Sequence, residues 1–200
     1  MQKKLTKEFD VRWHGRGGQG AVTSANMLAE AAYHAGFRGI MSAPTFGAER
    51  RGAPITASTR IAPRPLRSLS QVDKPDMIVV LDDSLLTAAN ATKGLAKNGL
   101  VIINTNRELD ELPGLNNGYR VAMVNANHVA EEVGLIISGA LMINTAMLGA
   151  ISRAFEVIKL EHVEKALNSI FSPAAAKKNF EAARLSYEQT RCFSPEEILV

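Results

Sequence analysis

Three glycines near the N-terminus have the G-x-G-x-x-G spacing of loops that bind phosphate groups. They lie in Gly15-Arg16-Gly17-Gly18-Gln19-Gly20. Residues 9–14 in front of this motif alternate apolar and polar side chains, and residues 21–35 behind it have apolar side chains at helical spacing. A glycine-rich turn between a strand and a helix presents unpaired backbone N–H groups and the positive end of the helix dipole. The motif therefore predicts binding of an anion, or the close approach of another backbone.

A dinucleotide site requires more than this spacing. It also needs an acidic residue about 20 positions further on, which binds the ribose hydroxyls. Residues 39–41 contain no acid, and the nearest one, Glu49, lies in a different loop. The Gly-Lys-Ser/Thr end of a P-loop is also missing. These absences disfavour a nicotinamide or flavin site and leave two interpretations open, an anion-binding turn and a tight turn packed against another subunit.

A second unusual segment is Glu49-Arg50-Arg51-Gly52-Ala53-Pro54. Two adjacent arginines in a turn bounded by glycine and proline are too short a run for a solvated helix face. One arginine can pair with Glu49 while the other points outward to an anion, since guanidinium groups suit carboxylate and phosphate. The alternative is an ion-paired loop or a salt bridge between subunits.

Side chains that carry out acid–base or nucleophilic catalysis are few in this sequence. The four histidines are scattered, and no Gly-x-Ser-x-Gly, His-Glu-x-x-His or Asp-x-Asp pattern occurs. We expect His14 to be a surface or interface residue. Asp83 or Ser84 can cap the helix that follows the buried strand, and an N-cap role accounts for the pair Asp82-Asp83. The single cysteine, Cys192, excludes an internal disulfide and a four-ligand zinc or iron–sulfur site. We assign no catalytic residue and no metal ligand.

The periodicity of the chain predicts an α/β fold. Strands are predicted at residues 9–14, 39–43, 55–61, 76–82, 100–103 and 119–124. Helices are predicted at residues 21–35, 85–91, 134–155, 160–170 and 173–192. Residues 76–82 form a continuous apolar run typical of a parallel strand covered on both faces. We therefore expect residues 1–200 to form a single three-layer domain, with a mostly parallel or mixed sheet and a helical C-terminal third.

Composition is that of an ordinary globular protein, with 46% hydrophobic and 22% charged residues. No apolar run reaches the roughly 18 residues that span a membrane. The basic N-terminus has no apolar segment behind it, so we do not expect a secretory signal. A cytoplasmic protein without membrane contact is the expectation.

Positive charge is concentrated in the first part of the chain. Residues 1–72 carry eleven Lys/Arg and four acids, whereas residues 73–200 carry twelve Lys/Arg and sixteen acids. Between residues 36 and 72 every basic residue is arginine, and Glu49 is the only acid. Aromatic residues are few and are not interleaved with this patch, so a nucleic-acid stacking surface is not expected. An anionic ligand or an acidic partner surface fits better.

Taken together, these segments resemble the gamma subunit, or gamma domain, of the 2-oxoacid:ferredoxin oxidoreductases, the pyruvate synthase family. The resemblance covers about residues 9 to 190. Four stretches carry it, namely Gly15–Gly20 with Ala21-Val22, the Phe46–Pro54 loop with the strand through Arg60, the Pro75–Asp83 strand, and the Asn144–Ala150 helix.

The resemblance implies a subunit of an enzyme that oxidatively decarboxylates a 2-oxoacid with coenzyme A, giving acyl-CoA, carbon dioxide and low-potential electrons. Thiamine diphosphate with Mg²⁺ and [4Fe–4S] clusters would carry out the chemistry. This sequence has neither a Gly-Asp-Gly…Asn signature for thiamine diphosphate nor cluster cysteines. Alpha, beta and delta-type partners would therefore hold these cofactors, in a hetero-oligomer that passes electrons to ferredoxin or another acceptor.

Within such a complex, five residues are candidates for contact with coenzyme A. Backbone donors would come from Gly17, Gly18 and Gln19, and positive charge from Arg50 and Arg51. Pure scaffolding, with both loops against partner subunits, is the competing interpretation. A different class of function, a free-standing nucleotide-binding or regulatory α/β module, is the alternative to the family as a whole.

Overall fold

The computed structural model describes residues 5–44, 51–66, 70, 72–115 and 118–198. The strands are β1 (Phe9–Arg16), β2 (Gly39–Pro44), β3 (Pro54–Ala62), β4 (Met77–Val80), β5 (Leu100–Asn104), β6 (Arg120–Val124), β7 (Ile136–Ile137), β8 (Ala140–Leu141) and β9 (Arg191–Phe193). The helices are α1 (Ala21–His34), α2 (Leu85–Ala88), α3 (Ala126–Glu132), α4 (Asn144–Phe155), α5 (Leu160–Ile170) and α6 (Pro173–Gln189). A 3-10 turn lies at Leu109–Glu111.

Seven strands of the described chain form one mixed sheet, in the order β2-β3-β1-β4-β5-β6-β9. Strands β1, β4, β5 and β6 run parallel, while β3 is antiparallel to both β1 and β2, and β9 is antiparallel to β6. The predicted α/β fold with a mixed sheet is confirmed. The carboxyl ends of the four parallel strands share one edge of the sheet, where ligand crevices of α/β folds lie.

Alternation along the buried strands divides the core into two layers. In β4, Met77 and Val79 pack into one apolar cluster, and Ile78 and Val80 pack into the other. The larger cluster includes buried residues of α1, α3, α4, α5 and α6. The smaller one is closed by α2 and by the residues around the 3-10 turn. Among the described residues the sheet thus lies between two covering layers, as the continuous apolar run predicted.

A largely buried ion pair joins β1 to β3. Asp10 lies opposite Arg60, whose side chain is 7% exposed. The Arg60 Nε and Nη2 atoms donate to the two carboxylate oxygens of Asp10 at 2.6 and 3.0 Å. This two-point contact has the favoured geometry of an arginine–carboxylate pair. The same register places Arg16, at the end of β1, opposite Pro54 at the start of β3.

Helix α4 lies against α6 with almost no space between the two backbones. A Cβ atom added at Gly149 would stand 2.0 Å from the carbonyl oxygen of Ala183. Thr145, one turn earlier, donates from Oγ1 to Asn179 Oδ1 at 3.2 Å. Residues 144–152 are all buried. The small residues of the Asn144–Ala150 stretch therefore serve close helix packing in the core.

The helix predicted at residues 134–155 is wrong in its first half. Residues 136–141 form a β-hairpin, and α4 begins only at Asn144. Ser138 and Gly139, with φ of 51° and 78°, make the turn. Two left-handed residues in a two-residue loop match the twist of a hairpin. An apolar run with small residues fits either periodicity, and the turn decides between them.

The helix predicted at residues 173–192 also ends early, at Gln189. Thr190 turns back on α6, since its backbone N–H and its Oγ1 both donate to the Ser186 carbonyl oxygen. Residues 191–193 then pair with β6 as an edge strand. This backbone pairing with a sheet edge is a tertiary interaction that helical periodicity does not reveal. The helix predicted at residues 85–91 is shorter too, since it ends at Ala88.

We predict that Gly149→Ala destabilises the protein. Helix propensity alone would make this substitution stabilising by about 1 kcal/mol. The added methyl group meets the α6 backbone, however, and overpacking of this kind costs about 1–3 kcal/mol. Thermal unfolding of the purified chain measures the result. A raised melting temperature would contradict the close contact between α4 and α6.

Candidate functional site

The two loops singled out in the sequence meet in the structure. Backbone hydrogen bonds join them, from Gly17 N to Ala53 O at 2.8 Å and from Gly52 N to Gly17 O at 3.0 Å. Gly17 also forms a parallel bridge with Arg51. We call these joined segments, residues 15–20 and 51–54, the loop pair. Arg50 and the rest of the arginine loop, residues 45–50, lie outside the described residues.

Arg16 connects the loop pair to the end of β4. Its Nε donates to Asp82 Oδ2 at 2.9 Å, its Nη1 donates to Gly52 O at 3.1 Å, and its Nη2 donates to Ser84 Oγ at 2.8 Å. Each nitrogen of the guanidinium group is therefore used within the protein. Sequence reasoning missed this role, because it depends on three segments that only the sheet brings together.

Gln19 closes the glycine loop upon itself. Its side-chain Oε1 accepts from Arg16 N at 2.7 Å, and its Nε2 donates to Asp82 Oδ2 at 3.3 Å. Its backbone N–H donates to Arg16 O at 2.9 Å. Both the side chain and the backbone of Gln19 thus hold the loop in shape rather than pointing to an external anion.

Gly20, the last glycine of the motif, must be glycine for two reasons. Its φ is 79°, a left-handed conformation, and an added Cβ would stand 2.4 Å from Asn144 Nδ2. The Asn144 amide instead donates to Gly20 O at 2.9 Å. The first glycine, Gly15, packs against Leu81 and Ala21, at 3.1 and 3.2 Å from the position of a Cβ. The motif's first and last glycines therefore serve close packing of a loop and two helices.

Among the five candidate residues, Gly18 and Arg51 have hydrogen-bond donors that are available to a ligand. No partner among the described residues is recorded for the Gly18 N–H or for the Arg51 guanidinium, and Arg51 is exposed. Gly18 has φ of 95°, and nothing lies within 4 Å of an added Cβ. Behind it, α1 begins with no acidic residue in its first turn and no side-chain cap. This arrangement leaves the positive end of α1 available to an anion.

A polar cleft of about 470 Å³ adjoins the loop pair along the carboxyl ends of β4, β5 and β6. Its side chains largely bond one another. Thr105 Oγ1 donates to Asp83 Oδ2 at 2.6 Å, and Asn104 Nδ2 donates to Leu81 O at 2.9 Å. Asp82, Asp83 and Glu131 give this cleft negative charge. The cleft is therefore poorly suited to an anion.

Asp82 and Asp83 do not cap a helix through their side chains as expected. Ser84, the other predicted cap, does occupy the N-cap position of α2, but its side chain makes no capping bond. Asp82 instead receives donors from both sides, with Arg16 and Gln19 on Oδ2, and Ser84 N and Oγ on Oδ1. Burial alone would raise the pKa of Asp82, but the hydrogen bonds from Ser84, Arg16 and Gln19 hold that pKa below its usual value.

His14 is not the surface or interface residue that we expected. It is 4% exposed, because alternation along β1 directs it to the sheet face opposite Trp13, beside the folded-back side chain of Arg12. Arg12 Nε donates to His14 Nε2 at 3.0 Å, and Arg12 Nη2 bonds the carbonyl oxygens of Ala91 and Lys93. Burial, with a smaller contribution from Arg12, lowers the pKa of His14 to about 4. The imidazole is therefore neutral at pH 7.

The described residues contain no group of three or more His, Cys, Asp or Glu side chains placed to hold a metal ion. No helix among them is long and apolar enough to cross a membrane.

Comparison with known proteins gives a consistent result. A family model described as "Pyruvate ferredoxin/flavodoxin oxidoreductase" matches residues 10–189. The "Pyruvate/ketoisovalerate oxidoreductases common subunit gamma" of Pyrococcus furiosus is 47% identical over 187 residues, which covers 92% of this chain and 98% of the relative. The "Pyruvate synthase subunit PorC" of Methanocaldococcus jannaschii is 38% identical over 181 residues, covering 90% and 96%.

Solved structures agree with these relatives. The crystal structure of pyruvate oxidoreductase subunit PORC from Thermotoga maritima matches with a TM-score of 0.78 and 34% identity, covering 94% of this chain and 99% of that one. The fold is also similar to part of the 2-oxoglutarate:ferredoxin oxidoreductase from Magnetococcus marinus, with a TM-score of 0.68 and 20% identity. That match covers 92% of this chain and 32% of the larger one.

Because His14 is buried in its neutral form, we predict that the folded protein loses stability in mild acid. Well above pH 6.5 the imidazole is neutral in both the folded and the unfolded state, so it has no effect on the pH dependence of stability. As the pH falls from 6.5 towards 4, the unfolded chain takes up a proton that the folded protein does not. This costs roughly 3 kcal/mol by pH 4. Denaturant unfolding of wild type and His14→Gln between pH 7 and 4 measures the difference in slope, and parallel curves would contradict the buried neutral imidazole.

Proposed function

The chain belongs to the pyruvate ferredoxin/flavodoxin oxidoreductase family, and from this premise we propose that it works as the gamma subunit of a CoA-dependent 2-oxoacid oxidoreductase. Such an enzyme decarboxylates a 2-oxoacid oxidatively to acyl-CoA and carbon dioxide and passes low-potential electrons to ferredoxin or another iron–sulfur acceptor. The observation that carries the assignment is the match to subunits named gamma and PorC along nearly the whole length of both chains.

The residues of this chain support a role that depends on partner subunits. Its single cysteine does not fit an iron–sulfur cluster, which takes about four thiolate ligands. Among the described residues no acidic or histidine cluster is placed for a divalent metal either. We propose that alpha, beta and delta-type subunits hold thiamine diphosphate, Mg²⁺ and the [4Fe–4S] clusters. A free-standing nucleotide-binding module, the alternative from the sequence, receives no support from the comparisons.

Contact with coenzyme A is the second part of the proposal. The loop pair offers an uncompensated helix N-terminus, the Gly18 N–H and the exposed charge of Arg51. These groups suit the phosphates of coenzyme A, for which arginine gives two-point, charge-assisted hydrogen bonds. Arg50, next in the chain, would add a second charge. The Magnetococcus enzyme, which is similar in fold, was solved with coenzyme A and succinyl-CoA bound.

Scaffolding is the competing role for the same loops. Gly17 and Gln19 use their hydrogen-bonding groups inside the protein, which makes the loop pair a firm surface for a partner subunit. Both roles need Arg51, but they assign it different partners. Kinetics and assembly of the complex distinguish them.

We predict that Arg51→Ala, alone and combined with Arg50→Ala, raises the KM for coenzyme A in the assembled complex. Loss of a charge-assisted hydrogen bond to phosphate corresponds to a roughly ten-fold or larger rise in the KM for coenzyme A. Arg38→Ala, at an exposed arginine away from the loop pair, is the matched control. Steady-state kinetics with varied coenzyme A, and size exclusion of the complex, are the measurements. An intact complex with unchanged KM would rule out phosphate contact, while a lower yield of complex with unchanged KM would favour scaffolding.

A further inference from the structure

We propose that Asp82 is a positioning residue for coenzyme A binding, acting through Arg16 and Gln19 on the loop pair. This inference rests on the proposed function, because it concerns the same site. Asp82 itself is not assigned a contact with the ligand. Its carboxylate fixes the loop pair, which carries Gly18 on one segment and Arg51 on the other.

The anchoring end of this arrangement is rigid. Asp82 follows directly on Leu81, which is 1% exposed and whose backbone N–H donates to His14 O at 2.8 Å, continuing the pairing of β4 with β1. The carboxylate thus stands at a fixed place on the sheet edge. Both its oxygens are used, one by the glycine loop and one by Ser84.

The loop at the other end has little conformational preference of its own. Gly18 and Gly20 both have positive φ, and glycine loses the most backbone freedom when it is held in one conformation. Such a loop needs restraint from outside. Asp82 supplies it at two points, the Arg16 guanidinium at 2.9 Å and the Gln19 amide at 3.3 Å.

The restraint on the glycine loop extends to the segment of Arg51 through the side chain of Arg16. Arg16 Nη1 donates to Gly52 O, next to Arg51, and the backbone of Gly17 bonds residues 52 and 53. A shift of the Arg16 side chain therefore displaces both halves of the loop pair. Asp82 is in this way coupled to Arg51 without touching it.

The neighbouring Asp83 offers a matched control. It lies on the same turn and at similar exposure, with 23% of the side chain accessible in both residues. Its carboxylate accepts from Thr105 Oγ1 and lies 4.0 Å from Arg107, and no hydrogen bond from it to the loop pair is recorded within the described chain. A general effect of losing a carboxylate at this edge would appear in both variants, whereas a positioning effect belongs to Asp82 alone.

The experiment compares Asp82→Asn and Asp83→Asn in the assembled complex. For Asp82→Asn we expect a roughly ten-fold rise in the KM for coenzyme A, with kcat at saturating coenzyme A within about two-fold of wild type, because a charge-assisted restraint on the loop is lost. Hydrogen exchange should become faster in peptides that cover residues 16–20 and 51–54. Asp83→Asn should leave both readouts at wild-type values.

Three results would overturn the inference. The first is hydrogen exchange of the loop pair at the wild-type rate in Asp82→Asn, and the second is an equal effect of Asp82→Asn and Asp83→Asn. The third is faster hydrogen exchange in Asp82→Asn with an unchanged KM for coenzyme A, while Arg51→Ala still raises that KM. Failure of the proposed coenzyme A contact has a different signature, since Arg51→Ala then leaves the KM unchanged as well. In that case the inference about Asp82 falls together with the contact that it was meant to support.

Discussion

Strand β1 pairs in parallel with β4 on one side and antiparallel with β3 on the other, and the arrangement of the site depends on this constraint. It brings the carboxyl ends of β1 and β4 to the same edge as the amino end of β3. The glycine loop, residues 51–53 and the Asp82 turn become neighbours although they are far apart in the chain. Arg16 can bond all three because it stands at the end of the shared strand.

Much of this fold could be predicted from sequence because its main elements have unambiguous periodicity. The β4 run is apolar throughout, as is typical of a strand covered on both faces, and the glycine motif marks the start of α1. The prediction for residues 134–143 is wrong because their apolar and small side chains fit the periodicity of a helix and of a strand equally well. There the decision rests on the left-handed turn at Ser138 and Gly139.

The site was less predictable for a physical reason. Gly15–Gly20 and Arg51 stand out by residue type, but the bonds of Arg16 and Gln19 depend on distant partners that local sequence does not reveal. Local sequence favours a helix cap for Asp82, since aspartate is a preferred N-cap residue. The position of His14 at the end of a strand favours a surface or interface residue, whereas in the structure the side chain is buried and accepts a hydrogen bond from Arg12.

The loop pair also has a consequence for how this sequence can change over time. The Arg16 guanidinium bonds residues of the 51–54 and 82–84 segments, and two backbone hydrogen bonds join residues 15–20 to residues 51–54. A substitution in one segment thus alters the surroundings of the others. We therefore expect substitutions in these segments to be correlated rather than independent. Anyone who transplants the glycine motif to another α/β scaffold would have to move all three segments, since the motif alone lacks the restraints that give it its shape.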